Sequence, residues 1–100
     1  MNKKQKEVLK NNFKIYEFDE TLELEQWTNG GVDMIIDVTK KNIINDLEDY
    51  IENFDIDEEI DMYREIKDYK ERFTIRQSLE DFEDWLEFIE DIIKKLKEAE

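Results

Sequence analysis

The sequence predicts an α+β fold, with a three-stranded antiparallel β-meander at about residues 13–39 and three amphipathic helices at about residues 43–54, 56–73 and 79–97. Two patterns support this. In the first region apolar side chains recur at every second residue, which is typical of strands with one buried face. From residue 43 onward they recur every three or four residues, as on one side of a helix. A chain of 100 residues is enough for one core, so we expect a single domain, 1–100.

The N-terminal segment is basic. Residues 1–14 contain five lysines and one glutamate, and they have little apolar periodicity. We therefore expect residues 1–12 to be a loosely ordered basic segment that precedes the meander.

One face of the predicted meander is apolar. Seven of its apolar residues have even numbers, so period-2 alternation places them together if the register is kept: Tyr16, Phe18, Leu22, Leu24, Met34, Ile36 and Val38. The opposite face then carries five acids, with two apolar residues among them: Glu17, Glu23, Glu25, Asp33 and Asp37, with Trp27 and Ile35. The sequence therefore predicts one core face and one acidic face.

The register of the meander follows from its turns. A three-residue loop of Asn29, Gly30 and Gly31 pairs Leu24 with Ile36. A two-residue turn would instead pair Leu24 with Ile35, which sets a residue of the core face opposite one of the outer face. Hairpin loops of three residues favour glycine at the left-handed position.

The same reasoning at the first turn, with a three-residue loop at Asp19–Thr21, pairs Phe18 with Leu22 and Tyr16 with Leu24.

Each predicted helix has a candidate N-cap. Asn42 precedes the first helix, Asp55 or Asp57 the second, and Ser78 the third. The third helix has acids in its first turn and lysines in its last, as the helix dipole favours. Its apolar stripe is Leu79, Phe82, Leu86, Ile89, Ile93 and Leu96.

The composition argues against an enzyme and against a bound cofactor. The chain contains no histidine and no cysteine, and Ser78 is its only serine, so no usual nucleophilic triad can form. Carboxylate pairs are so abundant that acid–base chemistry on a sugar cannot be assigned to any of them, and a fold of this size leaves little room for a sugar cleft. Gly30-Gly31 leads into a strand and fits no phosphate-binding loop.

An acidic segment that begins at Asp55 resembles a calcium loop only superficially. An EF-hand loop requires glycine at position 6 and glutamate at position 12, where this chain has Ile60 and Ile66. We therefore expect a capped helix start, with no more than weak, non-specific divalent-cation binding.

The net charge constrains the partners. With 29 acids and 15 bases the chain carries −14, which repels nucleic acid and anionic membranes. No apolar run approaches the ~20 residues of a membrane span. We therefore expect no direct binding to nucleic acid or membrane, and a cytoplasmic location.

The acids of the third helix are concentrated. Seven acids occupy residues 80–91, about 18 Å of helix, or one charge per about 2.6 Å. That density lies between those of duplex DNA, about 1.7 Å per charge, and of a single strand, about 3.4 Å. The candidate partner-binding residues here are Glu80, Glu83, Asp84, Glu87, Glu90 and Asp91.

A second acidic segment covers residues 46–61, where nine acids in 16 residues give a similar density if the segment is one helix. It contributes the candidates Asp46, Asp49, Glu52, Asp57, Glu58 and Asp61. Bases are absent from residues 78–93, although solvated helices usually mix both charges. These two acidic helices predict a surface that binds a basic partner, although acid runs are also common on ordinary solvated faces.

The run Gln26–Ile36 and the acidic-aromatic run Glu80–Trp85 are similar to those of small acidic proteins of phages and mobile elements, among them DNA mimics and the type II-A anti-CRISPR inhibitors of Cas9. The resemblance implies inhibition of a Cas9-type nuclease, by occupying the channel that holds nucleic acid or guide RNA. It implies a cytoplasmic site of action in a host bacterial cell. It assigns no individual residue.

Two other functions remain open at this stage. The first is a structural or interaction module, for example a homodimer, that uses Trp27 and Ile35 on the outward sheet face. The second is an antitoxin-like protein that neutralises a basic toxin. The sequence does not determine the oligomeric state.

Overall fold

The computed structural model describes the backbone of residues 1–27, 33–66 and 75–100, and the side chains of these ranges apart from residues 63–66 and 75–78. In chain order the elements are α1 (Lys3–Asn12), β1 (Lys14–Glu17), β2 (Thr21–Trp27), β3 (Asp33–Thr39), α2 (Ile43–Glu52), α3 (Ile56–Ile66) and α4 (Ile75–Glu98). The strands form one antiparallel sheet in the order β1-β2-β3. The predicted α+β class and the three-stranded meander are confirmed.

The helix count needs correction, because the described residues form four helices and not three. The additional helix, α1, lies in residues 1–12, the segment expected to be loosely ordered. It begins with a capping box. The backbone N–H of Gln5 donates to Asn2 Oδ1 at 2.9 Å, and the backbone N–H of Asn2 donates to Gln5 Oε1 at 3.1 Å. Leu9 is fully buried and anchors α1 to the core.

The predicted register between β2 and β3 is confirmed. Leu24 lies opposite Ile36, and Leu22 lies opposite Val38. The loop at Asn29, Gly30 and Gly31 falls outside the described residues.

The predicted register of β1 is wrong by one residue. The Phe18 amide donates to the Thr21 carbonyl at 2.9 Å, so the turn has two central residues and not the three expected. Ile15 therefore lies opposite Leu24, and Tyr16 lies opposite Glu23. Because a shift of one residue exchanges the faces of a strand, Tyr16 is exposed and Glu17 lies on the core side of the sheet.

Glu17 is accommodated at the edge of this inner face by two lysines. Its carboxylate accepts from Lys6 of α1 at 3.1 Å and from Lys40, which follows β3, at 3.2 Å. Hydrogen bonding from Lys6 and then from Lys40 lowers the pKa of Glu17. The position is solvent-exposed, and the two lysines join α1 and the end of β3 to β1.

The helix starts agree only in part with the predicted caps. Asp55 does cap α3, since its Oδ1 accepts from the Glu58 amide at 3.2 Å. Asn42 occupies the N-cap position of α2, but its side chain makes no capping bond. Ser78 is not a cap, because α4 begins three residues earlier, at Ile75. The predicted second helix is described only to Ile66, so its continuation to residue 73 lies outside the described residues.

The core lies between the inner face of the sheet and the helices. It joins Leu22, Leu24, Ile36 and Val38 of the strands to the buried residues of α1, α2, α3 and α4. Helix α4 contributes most of the helical part: Phe82, Trp85, Ile89, Ile92, Ile93 and Leu96. Among the helices of the described ranges, none has a stretch long and apolar enough to cross a bilayer.

Candidate functional site

The six acids predicted for the third helix all lie on the exposed side of α4: Glu80, Glu83, Asp84, Glu87, Glu90 and Asp91, here called the acidic row. The helix is continuous through them, so the spacing of a regular helix applies, and the density of one charge per about 2.6 Å includes a seventh acid, the half-buried Asp81. The row extends about 18 Å from Glu80 to Asp91.

The acidic row faces solvent because the residues between its members are the ones that anchor α4. Phe82 and Trp85 are each 4% exposed, and Ile89 is fully buried. Trp85 stacks on Phe88, whose ring meets the edge of Phe13 with a centroid distance of 5.6 Å. The aromatic residues of the acidic-aromatic run therefore serve the core and fix the rotation of the helix that displays the acids.

Most of the acidic row lacks intramolecular neutralisation. Asp91 is paired with Lys95 one turn further along α4, at 3.1 Å. By contrast, Glu83, Asp84, Glu87 and Glu90 form no ion pair within the described ranges. No cation of the described residues offsets their charge, so a basic partner could do so.

The pKa of Asp81 shows the mutual repulsion of these carboxylates. Partial burial is the largest cause that raises it, followed by the negative charges of Asp84 and Glu80. Repulsion of this kind destabilises the row in isolation. A positive charge brought to it would relieve the repulsion.

Asp46, a predicted partner-binding residue, has a different role. It is half-buried, and its Oδ2 accepts from the Thr39 amide at 2.7 Å and from Thr39 Oγ1 at 2.6 Å. These bonds hold the end of β3 against the first turn of α2. The carboxylate is therefore used within the fold and is not part of a free acidic surface.

The other five candidates of the second acidic segment are exposed: Asp49, Glu52, Asp57, Glu58 and Asp61. They do not form one continuous helical row, because α2 ends at Glu52 and α3 begins at Ile56. The charge density calculated for a single helix is therefore not realised there. At the start of α3, burial and then the neighbours Glu58 and Asp55 raise the pKa of Glu59.

Three lysines line a groove away from the acidic row. A groove of about 630 Å³ lies between the start of α1, the start of α2 and the end of α4, and Lys40, Lys41 and Lys97 line it. Lys97 also pairs with Glu48 at 3.4 Å. Along α4, acids thus occupy the middle turns and lysines the last ones.

Sequence reasoning placed one exposed surface incorrectly. Trp27 and Ile35 lie on the outward sheet face as expected and are 63% and 51% exposed. Tyr16 and Phe18 were expected in the core, yet they are 39% and 55% exposed. A two-residue turn at Asp19 and Glu20 accounts for the exposure of Tyr16, because it pairs Tyr16 with Glu23 and not with Leu24.

In the described parts of the chain, no group of three or more acidic side chains is placed to hold a metal ion. No protein-family model matches this chain, and no curated protein or solved structure is found to be similar to it.

Proposed function

We propose that this protein is an acidic inhibitor that binds a basic, nucleic-acid-binding protein and blocks it by imitating a nucleic-acid backbone. The observation that carries the proposal is the acidic row, in which Glu83, Asp84, Glu87 and Glu90 are exposed without an ion pair among the described residues. Binding, and not catalysis, is the activity that this surface supports.

The chemistry of the row suits a groove that normally holds phosphates. Its charges are spaced at intervals comparable with those of a single nucleic-acid strand, and a well-packed helix holds them in place. Clustered charge of one sign accelerates association with a complementary groove and makes that association sensitive to salt.

The partner that we propose is a Cas9-type nuclease or its guide-RNA complex, met in the cytoplasm of a bacterial cell. Such nucleases bind nucleic acid in positively charged channels. The resemblance of the acidic-aromatic run to Cas9 inhibitors of mobile elements supports this choice of partner.

The test compares two variants of equal net charge. Glu83→Lys with Glu87→Lys reverses the centre of the acidic row, whereas Glu7→Lys with Glu20→Lys makes the same change in charge at exposed positions of α1 and the β1–β2 turn. Binding to Cas9, with and without guide RNA, and DNA cleavage are measured at low and at physiological salt. We expect the first variant to lose binding and inhibition and the second to keep them. Equal loss in both variants, or no binding by the unmodified protein at low salt, would contradict the proposal.

A further inference from the structure

Within the described residues, no other element covers the outer face of the sheet. Alternation along the strands places ten residues on it, two of which, Thr21 and Thr39, form the pair at the strand ends; the other eight are here called the outer sheet face: Lys14, Tyr16, Glu23, Glu25, Trp27, Asp33, Ile35 and Asp37. Trp27, Ile35 and Tyr16 are all more than a third exposed. A small monomeric protein rarely leaves this much apolar surface together unless it contacts something.

Carboxylates are interleaved with these apolar groups. Glu23 lies between Tyr16 on one neighbouring strand and Asp37 on the other. Glu25 likewise lies between Lys14 and Ile35, and Asp33 lies opposite Trp27. Since directly opposed residues have their Cβ atoms about 5 Å apart, every exposed apolar group has a carboxylate as its cross-strand or diagonal neighbour.

One lysine of the chain already lies against an aromatic ring of this face. Lys14 Nζ lies 5.3 Å from the centroid of the Tyr16 ring. The pKa of Lys14 is raised, first by its interactions with Tyr16 and then by attraction to Glu25 and Asp33. A lysine side chain thus lies beside an aromatic ring and close to carboxylates on this face.

Trp27 offers the same arrangement without a cation. Its indole is the best ring for cation–π contact and has Asp33 directly opposite. In the described ranges no cationic side chain lies over it.

We propose that the outer sheet face binds an arginine- or lysine-bearing segment of a partner protein, with a cationic side chain over Trp27 and others against Glu23, Glu25 and Asp37. Charge complementarity selects this occupant over a second copy of the chain. Two copies face to face would set the carboxylates of one against those of the other, with a single lysine from each to offset them. The inference rests on the proposed function only in requiring a basic partner, because it uses a different surface from the acidic row.

The two tryptophans provide a direct test by NMR. The probe is a peptide of alternating arginine and glycine, titrated into ¹⁵N-labelled protein, and its control is the same peptide with uncharged citrulline in place of arginine. Trp27 is exposed and Trp85 is buried, so their indole N–H signals report on the outer sheet face and on the core separately. We expect the arginine peptide to shift the Trp27 signal saturably and to leave Trp85 unchanged, with no effect from the citrulline peptide.

Variants connect that response to the proposed contacts. Trp27→Ala should weaken peptide binding, measured by calorimetry, at least about threefold. Glu25→Gln with Asp37→Asn should weaken it without changing the fold, since Asp37 is exposed, Glu25 is half-buried on the outer sheet face, and both substitutions preserve side-chain size. The acidic-row variant, Glu83→Lys with Glu87→Lys, should keep the Trp27 response.

Three results would overturn the inference. Shifts confined to α4 would place basic segments on the acidic row alone and leave the proposed function standing. A Trp27 signal that moves with protein concentration in the absence of peptide would identify a second copy as the occupant. A Trp27 response unaffected by Glu25→Gln with Asp37→Asn would show a purely apolar contact. Conversely, if Cas9 is not bound while the Trp27 response holds, the proposed function fails and the inference stands.

Discussion

The indole of Trp85 donates a hydrogen bond from Nε1 to the hydroxyl oxygen of Tyr50 at 2.9 Å, which joins α4 to α2 inside the molecule. Trp85 is 4% exposed, so its N–H has no ready access to water. Tyr50 in turn contacts Phe54 edge to face, with 5.5 Å between the centroids. The bond satisfies the polar atom of the aromatic residue that fixes the rotation of α4, and hence the direction of the acidic row.

We expect this bond to couple the two residues energetically. Tyr50→Phe and Trp85→Phe should each destabilise the protein, and the double variant should lose less than the sum of the two, by about 0.5–1.5 kcal/mol. The measurement is a double-mutant cycle from urea unfolding followed by circular dichroism. Strict additivity would show that the bond contributes nothing to stability. A second double-mutant cycle, with Phe54→Leu and Trp85→Phe, is the control, because the hydrogen bond of Trp85 goes to Tyr50 and not to Phe54.

The Tyr50 hydroxyl should titrate well above the usual pH range of a tyrosine. Burial raises its pKa from 10.0 to about 12, with a small further contribution from Glu59 and an opposing one from Trp85. Ultraviolet titration of tyrosinate should show a late step near pH 12 that Tyr50→Phe removes. Because the folded pKa exceeds the unfolded one, the stabilisation from this group is complete below pH 10 and is lost as pH rises towards 12. A Tyr50 hydroxyl that titrates near pH 10 would contradict this.

Helix α1 should contribute to global stability. Leu9 is fully buried among core residues, so Leu9→Ala should lower the free energy of unfolding by about 2–5 kcal/mol. Its exposed neighbour provides the control, as Lys10→Ala should change stability by no more than about 0.5 kcal/mol. Both are measured by urea unfolding. A negligible effect of Leu9→Ala would restore the expectation of a loosely ordered N-terminal segment.

Two aspartates of α2 should behave differently although both were candidates for the same surface. Asp46→Ala removes both acceptor bonds to Thr39 and should destabilise the protein by about 1–3 kcal/mol. Asp49→Ala alters an exposed side chain and should stay within about 0.5 kcal/mol. Thermal unfolding distinguishes the two. Equal, small effects would mean that the carboxylate of Asp46 does not hold the end of β3.

The parts of the fold that were predicted correctly are those with long, regular patterns. The pairing of β2 with β3 follows from period-2 alternation in two seven-residue strands, where a slip would bury charge. The exposure of the acidic row follows from a 3.6-residue period sustained along α4. In both cases a pattern repeated over many residues identifies the buried face, even where the first and last residues of the element are uncertain.

The errors arose where the pattern was short. β1 has only four residues, and Tyr16 and Ile15 are both apolar, so alternation alone could not choose its face. The start of α4 was placed at Ser78 from capping preference, although Ile75 already continues the apolar spacing through Leu79. Helix α1 has few apolar residues, and its signal was the Asn2–Gln5 capping box.

The role of Asp46 could not be derived from the sequence at all. Its carboxylate meets Thr39 because the chain turns between β3 and α2, and a local pattern contains no information on that turn. In the sequence it is one acid among many. Only the tertiary structure separates it from the free carboxylates around it.

The contact between α1 and the end of α4 has a consequence for how the chain folds on the ribosome. Gln5 Nε2 donates to the Leu96 carbonyl at 3.2 Å, and Asn2 Nδ2 donates to the Ala99 carbonyl at 2.8 Å, partners separated by 91 and 97 positions. During synthesis α1 therefore emerges long before the segment that receives it. Until the last turns of α4 are synthesised, the side chains of Asn2 and Gln5 lack these carbonyl acceptors, and α1 cannot take up its final contacts with α4.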